Sequence, residues 1–198
     1  MKKTINAMLR VMIVDESAKR EALLRDLLNR AGYEVVGSIQ STFEINQKVL
    51  ELQPDIIIVD TDSPSRDTLE HICVVSRERP RPIVMFTHDD DSDKIRAAIR
   101  AGVSAYVVDG LSSERVKPVV EVAQAHFNEF QAVRRNLEEA ETRLSERKMI
   151  DRAKSILMKQ KQWSEDRAYQ ALRKTAMDRG QRIGEVASNI IAAADLLT

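Results

Sequence analysis

The sequence predicts an α/β fold with a doubly wound, five-stranded parallel sheet, followed by a long helix and an all-α three-helix bundle. Two observations support this prediction. Five short apolar runs alternate with amphipathic stretches in the first 125 residues, and only helical patterns follow. Short runs rich in Val and Ile are typical of strands that are buried on both faces of a sheet. Strands that alternate with helices favour parallel pairing, with helices on both faces.

The helices between the predicted strands have recognisable ends. Ser17 is a suitable cap for the first helix and Gly32 ends it, while Pro54 and Gly102 end the second and the fourth. In a parallel sheet of this kind, the loops at the carboxyl ends of the strands form the ligand site. The predicted strands are LRVMIVD (9–15), YEVVGSI (33–39), DIIIVD (55–60), PIVMFT (82–87) and SAYVVD (104–109).

The fifth helix is predicted to continue from Pro118 to about Gln160, because no glycine and no further proline interrupts it. Apolar residues within it are spaced alternately three and four apart, as in a coiled-coil seam. We predict a helical linker or coiled coil over 126–146 that joins two chains, although the same stripe would suit one helix packing on its own chain. The seam consists of Phe130, Val133, Leu137, Ala140 and Leu144.

The helical patterns that follow the linker indicate a second domain, so the sequence predicts two domains joined by this linker. Ser164 is a suitable cap for a helix that ends before Gly180, and a last helix with a wide apolar face follows. The predicted domains are an α/β domain over 1–125 and a helical domain over 135–198, which overlaps the linker.

The composition argues against several classes of protein, including membrane-spanning, disulfide-bonded and catalytic proteins. No apolar run of about 18 or more residues is present, so we expect no membrane span. The single cysteine, Cys73, rules out an internal disulfide and fits a reducing cytoplasm, where we expect the protein to act. We expect no catalysis on an external substrate, because the sequence has no glycine-rich phosphate loop and its three histidines are scattered.

The net charge of zero hides a basic C-terminal region. Residues 143–182 carry 12 basic and 5 acidic side chains. Such an excess can mark a surface that binds a polyanion, or it can be a solvated helical face.

Acidic residues follow the predicted strands. Asp15 and Glu16 end the first strand, and Asp60 and Asp62 follow the third. Carboxylates on neighbouring strand ends suit a hard divalent cation such as Mg²⁺. A carboxylate beside a metal can also attack phosphorus, with a hydroxyl such as that of Thr87 stabilising the phosphoryl oxygens. Asp60 is therefore either a reactive group or only a strand cap.

The first 125 residues resemble the receiver domain of bacterial two-component response regulators, which has a flavodoxin-like fold. The matching positions occur in the family's strand order, and Pro64 lies in the loop that follows the third strand. The resemblance implies phosphorylation at Asp60, a switch formed by Thr87 and Tyr106, and a magnesium site. The metal ligands that it implies are Asp15, Glu16, Asp60 and the backbone carbonyl of Asp62.

Two positions depart from the receiver pattern. Asp109 stands where receivers carry a lysine, and an acid there repels a phosphoryl group that a lysine would attract. His88 follows Thr87 where a small residue is usual. These departures leave a third interpretation of Asp60, as the relic of a phospho-acceptor in a domain that is switched by what binds to it.

The segment IDRAKSILMKQKQWSEDRAYQALRKTAMDRG (150–180) resembles the ANTAR domain, the RNA-binding module of the AmiR and NasT antiterminators. Basic side chains on its helices would contact phosphates, and Tyr169 with Arg173 would stack on unpaired bases. Tyr169 is equally suited to the bundle core, which is the favoured place for Leu157 and Leu172. The predicted RNA-binding residues are Arg152, Lys154, Lys159, Tyr169, Arg173 and Lys174.

The resemblance implies an antiterminator that binds tandem stem–loops of an mRNA leader as a homodimer. The chain, including AGVSAYVVDGLS (101–112), looks most like the NasT type, which implies nitrate or nitrite assimilation genes. It also implies control by a nitrate-sensing partner protein or a histidine kinase. A DNA-binding response regulator and a protein-interaction adaptor remain as alternatives. The absence of basic residues after Arg182 argues against a helix that reads a DNA groove.

Overall fold

The computed structural model describes residues 8–108 and 113–195, which form two compact units that divide between Gln131 and Ala132. Unit 1 contains a five-stranded parallel sheet with the order β2-β1-β3-β4-β5. This confirms the predicted sheet. Its strands are β1 (Arg10–Asp15), β2 (Glu34–Ile39), β3 (Ile56–Asp60), β4 (Ile83–Thr87) and β5 (Ala105–Val108).

Helices follow each strand, and the last of them continues through the division between the units. A 3₁₀ turn (Thr42–Glu44) precedes α2. The helices are α1 (Ala18–Arg30), α2 (Ile45–Leu52), α3 (Arg66–Glu78), α4 (Ser92–Ala101), α5 (Ser113–Lys161), α6 (Glu165–Arg179) and α7 (Ile183–Asp195). In the described part of the chain, none of these helices is long and apolar enough to cross a membrane.

Two hydrophobic clusters cover the opposite faces of the sheet, because successive side chains of a strand point in opposite directions. Met12 and Ile57 lie in the cluster beneath α2, α3 and α4, whereas Ile13 and Ile58 lie in the cluster beneath α1 and α5. All four side chains are fully buried. The central strands β1, β3 and β4 are therefore apolar on both faces, and their polar residues are confined to the strand ends.

Unit 2 is a bundle of the C-terminal part of α5 with α6 and α7. Its small core consists of Ala153, Leu172, Ala176, Val186 and Ala187. Ser164 caps α6 and Gly180 ends it in a left-handed conformation, as the sequence predicts. A Cβ added to Gly184 would lie 3.3 Å from Cγ of Glu146, so α7 approaches α5 closely at this point.

Candidate functional site

The acidic pocket lies at the carboxyl ends of β1, β3 and β4, and we define it by Asp15, Asp60, Asp62 and Thr87. Asp15 and Asp60 are opposite each other in the register of β1 and β3. Chain connections diverge between these two strands, which is where ligands bind in open parallel sheets. The topology thus brings together carboxylates that are 45 positions apart in the sequence.

Asp15 is buried and forms an ion pair with Arg20 of α1. Its Oδ1 accepts hydrogen bonds from the backbone nitrogen of Ser17 at 2.8 Å and from Nε and Nη2 of Arg20, both at 3.3 Å. Arg20 also donates through Nη1 to Oδ1 of Asp62. Oδ2 of Asp15 is buried and has no hydrogen-bond partner among residues 8–108 and 113–195. One oxygen of the pocket is therefore still available to a cation.

Asp60 is half-buried next to this pair. Burial raises the pKa of its carboxyl and the charge of Asp15 raises it further, whereas Arg20 and His88 act in the opposite direction. A carboxyl whose folded-state pKa is raised destabilises the folded protein when ionised, and this cost falls as the pH falls through the raised pKa. Additional positive charge near Asp60 would remove the cost at neutral pH.

Thr87 and Tyr106 are both connected to the loop that follows β4. Oγ1 of Thr87 donates to the backbone carbonyl of Asp62 at 2.9 Å and accepts from the backbone nitrogen of Asp89 at 3.1 Å. The hydroxyl of Tyr106 donates to the carbonyl of Asp89 at 2.9 Å. Movement of Thr87 toward a group on Asp60 would therefore break hydrogen bonds that also hold this loop.

Lys94, at the start of α4, lies on the other side of the same loop. Its Nζ forms an ion pair with Oδ2 of Asp89 and donates to Oγ of Ser63 at 2.8 Å. Hydrogen bonds from Lys94 and then from Ser63 lower the pKa of Asp89 to about 2. Lys94 thus connects the loop after β4 to the loop after β3. Sequence reasoning missed both Arg20 and Lys94.

Glu16 is exposed, and Asp109 lies outside the described residues. In the described part of the chain, no group of three or more His, Cys, Asp or Glu side chains is arranged to hold a metal. Even so, Asp15 and Asp60 with the carbonyl of Asp62 provide oxygen donors of the kind that Mg²⁺ prefers. The unpartnered Oδ2 of Asp15 fits a hard cation that shares this pocket with Arg20.

The basic side chains of unit 2 fall into two groups, those that form ion pairs with acidic residues and those that do not. Lys154 lies between Asp151 and Glu165, with Nζ–O distances of 2.8 and 2.7 Å, and hydrogen bonds to these acids raise its pKa. Arg152 pairs with Asp195 of α7 at 3.0 Å. Arg152 and Lys154 therefore face different helices of the bundle.

Lys159, Arg173 and Lys174 are exposed, and none of them has an ion pair with another described residue. Tyr169 is 41% exposed, so it lies outside the core that contains Leu172. Leu157 packs against that core. The exposed surface of α6 therefore offers both cations and an aromatic ring to a ligand.

The predicted seam lies on α5 and is open to solvent. Phe130, Val133, Leu137 and Leu144 are between 55 and 63% exposed. Leu144 precedes the core residue Ala153 by nine positions, which places it on the opposite side of the helix. The seam therefore does not contribute to the core of unit 2.

Comparison with known families places two domains on this chain. Residues 11–121 match the response regulator receiver domain and residues 138–191 match the ANTAR domain. The transcriptional regulatory protein PdtaR of Mycobacterium tuberculosis is 30% identical over 182 residues, which are 92% of this chain and 89% of PdtaR. The chain belongs to the ANTAR response regulators.

Several other relatives match only the receiver part of this ANTAR response regulator. The chemotaxis protein CheY of Thermotoga maritima is 31% identical over 108 residues, 54% of this chain and 90% of CheY. A putative pilus assembly-related protein of Burkholderia pseudomallei is 25% identical, with a TM-score of 0.56, and covers 64% of this chain and 96% of its own. The response regulator domain of Thermotoga maritima CheB, at 24% identity and a TM-score of 0.51, shows the same fold.

Proposed function

We propose that this response regulator is a transcription antiterminator that binds stem–loops of an mRNA leader through its ANTAR domain. The match of residues 138–191 to that domain carries the proposal. It is supported by the exposed cations of α6, which have no acidic partner in the described residues, because unpaired cations release counterions from phosphates. Its role is regulatory, with no turnover of an external substrate, and it acts in the cytoplasm.

The DNA-binding alternative is not favoured. A helix that reads the major groove contacts phosphates and base edges with Arg, Lys, Asn and Gln side chains. Within the described residues of α7 there is no Lys or Arg, and its buried residues Val186 and Ala187 belong to the bundle core. A DNA duplex is therefore a suitable competitor in RNA-binding experiments.

Our first prediction concerns the exposed cations of α6. We expect Arg173→Ala with Lys174→Ala to weaken binding to a two-hairpin leader RNA at least tenfold. The slope of log K against log salt should fall by about 2, one for each phosphate contact removed. Fluorescence anisotropy of labelled RNA at several salt concentrations measures both quantities.

The matched control is Arg134→Ala with Arg143→Ala. It removes the same charge from two arginines of α5 that are already paired with Glu138 and Glu139. Equal losses in the two double variants would contradict the proposed face. Preference for duplex DNA would support the DNA-binding alternative, and absence of any RNA binding at low salt would support an adaptor role.

We further propose that Asp60 is the phospho-acceptor. An oxygen of its carboxylate would attack the phosphorus of a donor, forming an acyl phosphate while the bond to the leaving group breaks. Thr87, whose hydroxyl donates to the carbonyl of Asp62 in this structure, would donate instead to the new phosphoryl group. The loop after β4 would move with it, because Asp89 is hydrogen-bonded to both Thr87 and Tyr106. Bound Mg²⁺ would supply positive charge beside Asp15 and Asp60.

Our second prediction concerns this phosphorylation. Treatment with a small-molecule phosphate donor should add the mass of one phosphoryl group to the protein and none to Asp60→Asn. Leader RNA should then bind more tightly to the treated parent protein. A mass gain that persists in Asp60→Asn would contradict the assignment of this residue. RNA binding that is indifferent to phosphorylation would instead favour control by a partner protein.

Our third prediction concerns the competition between Arg20 and a metal for the same acids. In Arg20→Gln the buried Asp15 loses its cation, so we expect a loss of about 1–3 kcal/mol in the free energy of unfolding without metal. Added Mg²⁺ should then raise the melting temperature more in the variant than in the parent. Calorimetry with and without Mg²⁺ measures this difference.

Arg30→Gln is the control for the third prediction, because Arg30 forms an exposed pair with Asp26 on the same helix. Exposed pairs contribute only about 0–1 kcal/mol, so we expect little change and no altered response to Mg²⁺. Equal Mg²⁺-induced shifts in Arg20→Gln and the parent would show that Arg20 does not compete with the metal.

We also propose target genes and an upstream partner for this regulator. The resemblance of the chain to NasT-type regulators supports nitrate or nitrite assimilation genes and control by a nitrate-sensing partner or a histidine kinase. Two ANTAR domains joined by the α5 seam would bind two hairpins together, because linked weak sites act as one tight site. Transcription through a leader with intact or disrupted hairpins, with and without the protein, tests antitermination directly.

A further inference from the structure

Trp163, the single tryptophan of the chain, lies in the short loop between α5 and α6. It follows Gln162, whose φ of +52° belongs to the left-handed region and turns the chain sharply. Its side chain is half-buried but does not belong to the hydrophobic cluster of unit 2. A large aromatic ring is thus held at the end of the α5–α6 hairpin without contributing to the core.

Arg167 lies over this ring, with Cζ at 5.0 Å from the ring centroid. The first turn of α6 is held in place by Ser164, whose Oγ accepts from the backbone nitrogen of Arg167 at 3.3 Å. The guanidinium and the indole therefore form a preorganised cation–π pair. Arg167 has no ion pair with any residue that the structure describes, so its charge is not neutralised.

Two further polar side chains continue from this pair along α6. Gln170 and Lys174 follow Arg167 at intervals of three and four, which places them on one side of the helix. We define the outward row as Trp163, Arg167, Gln170 and Lys174, which spans roughly 16 Å at the helical rise. Its three helical members are exposed, and the row contains no acid. The opposite side of α6 is buried through Ala168, Leu172 and Ala176.

We propose that the outward row binds the unpaired loop of an RNA hairpin, with Trp163 and Arg167 as the platform on which a loop base stacks. The inference rests on the proposed RNA-binding function and names the surface that performs it. Unpaired bases stack on aromatic and guanidinium planes, and an amide such as that of Gln170 can donate to and accept from base edges. Lys174 would contact a phosphate of the same loop.

An RNA loop fits this row better than an acidic peptide does. An acidic peptide would need only the two cations, and would leave the aromatic plane and the amide without a role. A loop of RNA presents π-faces, base edges and phosphates within the length of the row. The chemistry of all four side chains is then used by one ligand.

The test uses the fluorescence of Trp163, which is the only tryptophan signal of the protein. Binding is measured independently by the anisotropy of an end-labelled hairpin. We expect a hairpin with an intact loop to quench the fluorescence, and the same stem with an abasic loop to bind more weakly without quenching. Trp163→Leu should weaken binding to the intact hairpin about tenfold, with an unchanged salt slope, because stacking releases no counterions.

Trp163→Phe retains an aromatic plane and should bind nearly as tightly as the parent. Gln170→Ala, at an exposed position where folding is not at risk, should reduce discrimination between loop sequences. If intact hairpins bind without quenching and Trp163→Leu binds as tightly as the parent, the outward row is not the loop-binding surface, although the proposed function stands. If no hairpin binds at low salt, the proposed function itself fails.

Discussion

Replacing Gly102 with alanine is expected to lower the free energy of unfolding of the receiver by about 2–4 kcal/mol. Gly102 ends α4 in a left-handed conformation with φ of +105°, which a side chain disfavours. An added Cβ would also lie 2.6 Å from Cβ of Ser76 on α3. Rotation of the Ser76 side chain cannot move that Cβ away, so the helices must separate.

Gly32→Ala is the matched control for this fourth prediction. Gly32 has a similar φ of +88°, but nothing lies within 4 Å of the Cβ that would be added there. It therefore measures the conformational cost alone, and we expect it to destabilise the receiver by only about 1 kcal/mol. Urea denaturation of both variants gives the comparison. Equal losses would show that the contact between α3 and α4 relaxes without cost.

Ser76→Gly combined with Gly102→Ala should recover part of the lost stability, because it removes the atom that the new Cβ meets. The recovery is reduced by the cost of a glycine inside α3, about 1 kcal/mol. No recovery in the double variant would place the cost of Gly102→Ala in the backbone conformation, and not in the contact with Ser76.

Leu137→Lys is expected to separate the two chains of the proposed dimer and to weaken binding of a two-hairpin RNA about 100-fold or more. Leu137 is 58% exposed at the centre of the seam, so the substitution removes no packing within its own chain. In a dimer the same position would be buried between two helices, where an unpaired charge is strongly unfavourable. Sedimentation equilibrium and RNA anisotropy measure the two effects.

Thr142→Lys adds the same charge on the other side of α5, five positions beyond Leu137. We expect it to leave both the dimer and the RNA affinity nearly unchanged. Binding of a single hairpin should also be similar in Leu137→Lys and the parent, since each ANTAR domain is intact. A dimer that survives Leu137→Lys would show that the chains associate through another surface.

The sheet and the positions of its acids were predictable because the signals are local. Apolar runs predicted each strand to within one or two residues, and Asp15 and Asp60 were expected together because parallel strands end at the same edge. Ser164 and Gly180 predicted the ends of α6 in the same way, since capping depends on a few neighbouring residues.

The partners of the charged side chains were not predictable in this way. Lys154 was expected on the same RNA-binding surface as Lys159, but it lies between Asp151 and Glu165. Arg20 gave no sequence signal, because nothing in the first turn of α1 indicates that its guanidinium reaches Asp62. A basic residue in the sequence therefore cannot be assigned to a ligand-binding surface until its acidic neighbours in the fold are known.

The sequence by itself determined the order of the domains, the strands and the acids at their ends, because hydrophobic periodicity and turn residues act over a few positions. Only the tertiary structure decided which cations are bound to acids and which are left for a ligand. Arg20 and Asp62 are 42 positions apart, and Arg152 and Asp195 are 43 apart. Ion pairs over such separations depend on how strands and helices pack. Packing brings Arg20 to the acidic pocket, and it leaves Arg167, Gln170 and Lys174 of the outward row exposed.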